Sequence, residues 1–392
     1  VSRAVQELEL TELATATVAR LRAPGASGRR PASAVVGIRT AAGDAIAADG
    51  WARLPGAGEA GVPMSPDLLL DVASVTKVAA TTALAMLLVD AGELDLATPA
   101  WRHLPALDDD VRRRITVEQL LTHTAGLRPW WPLYVEHADR AGALAAAAAL
   151  PLAAEPGTTW CYSDLGLILA GQVVETITGR GLAEAFATMI AGPLGLTARY
   201  GPVPPDTAVT SADSDAYEHA MIATGTPYPT PYSPTDFAGW RTGPVRGTAN
   251  DGNAAHALAG VSGHAGLFAT VADLLRLGSA LRGGFVTAPT LARFATPSRL
   301  NPDQAIGFRR TRLEGTDLTV LHHGGFTGTF LGVGLETELV VAGGAMRLAG
   351  TLGPVPTAGA ADTTGLLTSQ QIHDHLLDAA RAALELDILE ER

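Results

Sequence analysis

The sequence predicts an α+β fold: an antiparallel sheet flanked by helices from the two chain ends, with a mainly helical domain inserted between them. Three observations predict it. Strand-like apolar runs lie near residues 32–48 and again at 318–342, whereas residues from about 97 to 200 are helix-forming and dense in alanine. Amphipathic helical patterns stand at both ends of the chain. Hydrophobic residues make up 47% and charged residues 17%, enough to bury a large core and to exclude a disordered chain. The 392 residues exceed one ordinary domain. We expect a discontinuous α/β sheet domain (1–96 and 245–392) around a helical domain (97–244), with a loop-rich lid at about 200–244.

In chain order, residues 5–22 form the first helix, followed by a Gly/Pro/Arg-rich turn at 24–31. Ala32 to Arg39 and Ala45 to Ala48 read as a strand pair, with Gly43-Asp44 in the turn. Ser74 then opens a long helix carrying Val78, Ala85, Leu88 and Val89 at helical spacing, with Gly92 as its stop. Ala143 to Leu150 is a pure helix-forming run. Residues 200–250 break into Pro, Tyr, Thr, Ser and Gly; a loop that long is usually functional or disordered. Val271 to Leu281 is helical, and Leu318 to His322, Thr329 to Glu336 and Leu339 to Ala342 are successive strands. Thr368 or Ser369 caps a last helix with Ile372, Leu376, Leu377, Ala380 and Leu384 on one stripe.

Charge and composition exclude several functions. The net charge is −12 and no basic stripe exists, so nucleic acid is not an expected partner. A single cysteine, Cys161, rules out an intrachain disulfide. No apolar run reaches about 18 residues, so no membrane partner is expected. The first 22 residues are amphipathic and contain acids, unlike a signal peptide, which points to the cytoplasm. There is no P-loop, no His-Glu-x-x-His and no G-x-S-x-G, and His373 and His375 face different sides of their helix. No metal or cofactor is expected.

Of the 28 Lys and Arg residues, a single one is lysine: Lys77. Arginine does not give up its proton, whereas a partly buried lysine can. Lys77 completes Ser74-x-x-Lys77 at a helix start, where the i, i+3 spacing puts both side chains on one face. A neutral Lys77 amine could take the Ser74 hydroxyl proton and make a nucleophile. Tyr162-Ser163-Asp164 precedes an apolar helix that Ser163 or Asp164 would cap, leaving Tyr162 as a proton relay or a half-buried core tyrosine. His323, Gly325 and Phe326 lie in a Gly-rich link between two strands, either an oxyanion-binding edge or an ordinary hairpin.

Taken together, these segments resemble the serine β-lactamase and penicillin-binding-protein superfamily, and most of all its class C-like branch of family VIII esterases and D,D-peptidases. The matching motifs are Ser74/Lys77, Tyr162/Asp164 and His323/Gly325 in that order. The flanks DVASVTK (71–77), ITVEQLLTHTAGL (115–127), GVSGHAGLFAT (260–270) and HGGFTGT (323–329) are similar as well. The resemblance implies Ser74 as acylated nucleophile, Lys77 as its proton acceptor and Tyr162 as proton carrier. It puts His323 on the opposite wall and the Ser74 and Phe326 amides in the oxyanion hole. Asp164 replaces the usual Asn and should raise the Lys77 pKa, unless it is turned away. His323 replaces the usual Lys and removes a permanent charge that would hold a β-lactam or D-Ala-D-Ala carboxylate. The expected partners are a small-molecule acyl donor and acceptor, with Trp130 and Trp131 as part of a water-excluding cover. Esterase or amidase, transacylase, β-lactamase or D,D-peptidase, and a catalytically silent binding homologue all stay open.

Overall fold

In the computed structural model, which describes residues 3–25, 27–56 and 60–388, the two halves of one sheet come from opposite ends of the chain. The strands are Ser33–Thr40 (β1), Gly43–Arg53 (β2), Val62–Pro63 (β3), Leu70–Asp71 (β4) and Arg199–Tyr200 (β5). They continue with Leu267–Ala269 (β6), Arg309–Arg312 (β7), Thr319–Gly324 (β8), Thr329–Gly334 (β9) and Val340–Ala345 (β10). The large sheet runs β3-β2-β1-β10-β9-β8-β7 with antiparallel neighbours. Its closing step is β1 against β10, with Ala34 opposite Ala345. A small sheet, β4-β6-β5, sits beside it and leads directly into Ser74.

The helices are Arg3–Leu21 (α1), Ala83–Asp90 (α2), Val117–Leu121 (α3), Arg140–Ala149 (α4), Asp164–Thr178 (α5) and Leu182–Phe186 (α6). Gly192–Leu194 (α7), Ala216–Thr224 (α8), Val271–Arg282 (α9), Ala288–Ala295 (α10) and Ser369–Ile388 (α11) follow. Helices α1 and α11 cover one face of the sheet: Leu10, Ala14, Ile372 and Leu376 pack on Val36, Ile38, Phe330 and Val341. Leu274 and Leu275 of α9 belong to the core on the other face, which continues into the helical region through Val78, Leu84, Leu120 and Leu169.

Several elements differ from the sequence reading. The β1–β2 turn is Ala41-Ala42, because Asp44 lies opposite Arg39 and accepts from its guanidinium, drawing Gly43-Asp44 into the strand. Strand β7 has the sequence Arg-Arg-Thr-Arg, without the alternation that marks a strand; at the sheet edge it needs no apolar face. The long helix from Ser74 is a composite. It opens as a 3₁₀ turn (Ala73–Val75), widens into a π turn (Lys77–Thr82) and continues as α2. Residues 73–90 are long and apolar enough to cross a membrane, contrary to our count, but 78% of the stretch is buried inside the protein, where it serves as a core helix. Within residues 200–250 lies α8, whose buried Ala216, Ala220, Met221 and Ile222 were masked by the surrounding Pro and Gly.

Candidate active site

Ser74 sits on a turn that other residues force into shape. The preceding Ala73 has φ 47°, a left-handed conformation that costs a non-glycine residue of order 1 kcal/mol. The buried Asp71 carboxylate holds it there, accepting from the Ala73 amide at 2.9 Å and the Asn250 amide at 2.6 Å. Burial raises the Asp71 pKa to about 6. The Gly-rich link after β8 is bolted to the same turn: Thr329 Oγ1 donates to the Val72 carbonyl at 2.7 Å and Thr327 Oγ1 to that of Asp71 at 3.0 Å. A Cβ at Gly325 would stand 2.1 Å from Thr329 Oγ1 and 2.6 Å from the Val72 carbonyl oxygen, so only glycine fits.

Lys77 is fully buried, and its Nζ is the hub of the site. It donates to Ser74 Oγ at 2.7 Å and to the His264 carbonyl at 3.3 Å, and it pairs with Asp164 Oδ1 at 2.8 Å. Asp164 is therefore turned toward the lysine, not away from it. The local sequence explains why. Ser163 is the cap of α5, accepting from the Gly166 amide at 3.2 Å, which leaves Asp164 free at the first helical position. Burial acts against the Lys77 ammonium, but Asp164 and Tyr162 outweigh it and hold its pKa above the ordinary lysine value.

The Tyr162 ring lies close to two imidazoles, 4.7 Å from His123 and 5.9 Å from His323 between ring centres. Its centre is 5.1 Å from Lys77 Nζ. Burial raises the Tyr162 pKa against the opposing pull of the lysine charge. His323 Nδ1 lies 2.8 Å from the Gly324 carbonyl, an acceptor, so the proton is on Nδ1 and Nε2 keeps a bare lone pair. That Nε2 is buried and has no partner. Burial, then the Lys77 charge, keeps His323 neutral far below the usual histidine range. His123 has the opposite tautomer, since its Nδ1 accepts from the Ser163 amide at 3.0 Å. Burial lowers its pKa to about 3.

These groups open onto a cavity of about 550 Å³ that Ser74, Tyr162, Asp164, His323, Gly325 and Phe326 help to line. Trp130 is on its wall, stacked 6.3 Å from Tyr228. Trp131 is not. Its ring is turned to Tyr232 and Arg128, and its carbonyl accepts from Asn253, so its expected substrate contact does not form.

Sequence reasoning passed over His123, Asp251 and Glu218. The last two line the cavity from the α8 side, and His123 braces Tyr162 from behind. His123 lies inside the matched ITVEQLLTHTAGL flank and has φ 60°, but a lone histidine there carries no signal of its tyrosine contact. Asp251 accepts from His264 Nε2 at 2.9 Å, which holds its pKa at about 2 against burial. Asp164, Asp251 and His264 bring potential metal-ligand atoms within 4.8 Å of one another, but Lys77 already occupies Asp164 and Asp251 already bonds His264.

Residues 13–350 match the family model described as Beta-lactamase. The chain belongs to the beta-lactamase family. Among curated relatives of this beta-lactamase-family protein, Esterase EstB of Burkholderia gladioli is 41% identical over 161 residues, or 35% of this chain and 40% of the relative. The N-acetylmuramyl-L-alanine amidase of Bacillus subtilis (strain 168) is 28% identical over 273 residues, or 63% of this chain and 59% of the relative. The chain thus spans about 40 to 60% of these relatives' lengths. Among solved structures, EstCE1, described as a hydrolase with promiscuous acyltransferase activity, superposes with TM-score 0.68 and 22% identity over 96% of this chain and 99% of that one. The D-amino acid amidase of Ochrobactrum anthropi SV3 gives TM-score 0.68 and 18% identity over 97% and 99%. These structural likenesses establish the α+β fold.

Proposed function

We propose that the protein is a serine hydrolase that forms an acyl-enzyme on Ser74 from a small-molecule ester or amide. The observation that carries this is the convergence of Ser74, Asp164 and Tyr162 at the wall of one cavity, with the buried Lys77 Nζ bonded to Ser74 Oγ and paired with Asp164. Among the described residues, neither the Ser74 nor the Phe326 amide donates in a turn or loop hydrogen bond, and both residues line the cavity. They are available to a developing oxyanion. Attack by Ser74 Oγ on the carbonyl passes the hydroxyl proton to the Lys77 amine. The competent enzyme is the form in which the Lys77–Asp164 pair has shed one proton. Tyr162 moves a proton to the leaving group, its ring packed against His123 and His323.

Whether water or an amine takes the acyl group depends on the second wall. His323 Nε2 offers a lone pair and no charge, which suits an O–H or N–H nucleophile better than a carboxylate beside Ser74. This favours an esterase or amidase, or a transacylase, over a β-lactamase or D,D-peptidase. The names of EstB and of the two amidase relatives agree with the first pair. The aromatic wall of Trp130, Tyr228, Tyr217 and Phe326 supports the transacylase variant by limiting water.

The test is intact mass after brief exposure to an activated aryl ester, with Ser74→Ala alongside. An acyl mass on the wild type alone is the expected result; equal labelling of both proteins removes Ser74 as nucleophile. Adding a competing amine then reads the amide-to-acid ratio, and acid alone removes the transacylase variant.

A further inference from the structure

Two successive residues between α8 and β6, Asn250 and Asp251, reach both halves of the Ser74-x-x-Lys77 motif through hydrogen bonds. The Asn250 amide donates to Asp71 at 2.6 Å, and Asp71 in turn holds the Ala73 amide just before the nucleophile. Asp251 takes the other direction. Its Oδ1 accepts from the Ala254 amide at 2.8 Å and lies 2.9 Å from His264 Nε2, and the His264 carbonyl accepts from Lys77 Nζ at 3.3 Å. An ionised carboxylate only accepts, so the ring carries a proton on Nε2. Ser262 Oγ lies 2.8 Å from the other ring nitrogen, Nδ1, so both polar atoms of this fully buried ring are engaged.

The loop that carries His264 depends on such ties. Among the described residues, no amide of 262–266 donates to a backbone carbonyl. Three successive carbonyls accept from side chains instead: Ser262 from Tyr200 at 3.1 Å, Gly263 from Thr81 at 2.7 Å and His264 from Lys77. A Cβ on Gly263 would stand 2.0 Å from the Leu167 carbonyl oxygen, so this backbone is wedged between α5 and the helix of Lys77. The lysine bond is the longest of the three, and the His264 ring is the side chain nearest to it that can fix the carbonyl. The Asp251 end is itself clamped. Arg241, paired with Asp215 at 2.6 Å, donates to the Asn250 carbonyl at 2.8 Å, and Glu218 accepts from the Gly252 amide at 3.0 Å.

We propose that Asp251 is a positioning residue for Lys77: through the His264 ring it sets the His264 carbonyl against Nζ and so aims the amine at Ser74. The effect of that aim on acylation rests on the acyl-enzyme reading; the placement of Lys77 does not. A charge effect is the competing account, because ligand atoms of Asp251 and Asp164 come within 4.8 Å of each other and Asp164 already pairs with Lys77. Asparagine at 251 separates the two accounts. It keeps an oxygen for His264 Nε2 and loses the charge, whereas alanine loses both.

Because Lys77 is the single lysine, isotope-labelled lysine gives the full chain one Cε resonance, which reports on Lys77 whether or not the site turns over. Asp251→Ala should move that resonance and, with an activated aryl ester, lower kcat about tenfold or more while KM changes little. Asp251→Asn should leave the resonance near its wild-type position and keep most of the rate. His264→Leu retains the carbonyl but not the ring, and should match Asp251→Ala. Thermal melts show which variants fold; Ser262→Ala, which frees only Nδ1, should move the resonance in the same direction if the alanine variant at 251 does not fold. An unmoved resonance in the folded variants overturns the proposal. Equal movement by Asp251→Ala and Asp251→Asn assigns the effect to charge and overturns it as well. A wild type that forms no acyl-enzyme, with the resonance moving as expected, refutes the acyl-enzyme reading and leaves the placement of Lys77 standing.

Discussion

Lys77 and Asp164 form a buried ion pair, 2.8 Å from Nζ to Oδ1, and the same Nζ donates to Ser74 Oγ at 2.7 Å. The carboxylate keeps the lysine protonated in the resting site, although acylation calls for a neutral amine. In the proposed mechanism the pair therefore sets the pH at which the site turns on.

Replacing Asp164 by Asn removes the charge that raises the Lys77 pKa. The rising limb of kcat/KM against pH should then move to lower pH by about one unit or more. The pH–rate profile of the variant with an activated ester checks this. An unmoved limb would sink the assignment of that limb to Lys77.

Lys77→Met should remove the base and cut acylation by about 10² to 10⁴-fold. Because Lys77 is fully buried beside Asp164, the substitution also strands a carboxylate. The double variant Lys77→Met/Asp164→Asn should recover stability without recovering rate. Recovery of rate would show that the amine is not needed.

Gly325→Ala should destabilise the fold by about 1–3 kcal/mol and lower acylation, since its methyl would meet Thr329 Oγ1 and the Val72 carbonyl. Those contacts tie the link after β8 to the Ser74 turn. A melt and a rate both equal to wild type would mean that the turn tolerates separation from that link.

Stability should fall on acidification between pH 6.5 and about 4. His123 and His322 have folded pKa values of about 3 and His373 about 4, against 6.5 unfolded. The unfolded chain gains protons that the folded one refuses. Their contribution is full above 6.5 and is lost as pH falls toward the folded values. Asp71, raised to about 6, and Glu218, raised to about 8, act in the opposite sense and lessen the slope. His123→Asn, which suits the left-handed backbone there, should flatten the dependence of Tm on pH; an unchanged slope would contradict a neutral buried His123.

Much of this site was legible in the chain because its reacting groups sit in short local patterns. Ser74 and Lys77 are three apart, Ser163 caps α5 beside Asp164, and Gly325 marks a close approach. Each of these depends on neighbours a few residues away, and a few residues are what sequence patterns encode. Edge strand β7 and helix α8 were not legible, because their sequences lack the periodicity that burial imposes on central elements.

By itself, then, the sequence determined the order of the motifs, the fold class and the place of the chain's single lysine three residues after Ser74. The tertiary structure decided which way the groups point. It turned Asp164 toward Lys77, packed Trp131 away from the cavity, braced Tyr162 with His123, and sent His322 and His323 to opposite faces of β8. Those outcomes depend on contacts between residues tens to hundreds of positions apart. Packing and electrostatics select them only when the chain has closed, β1 against β10, around its inserted helices.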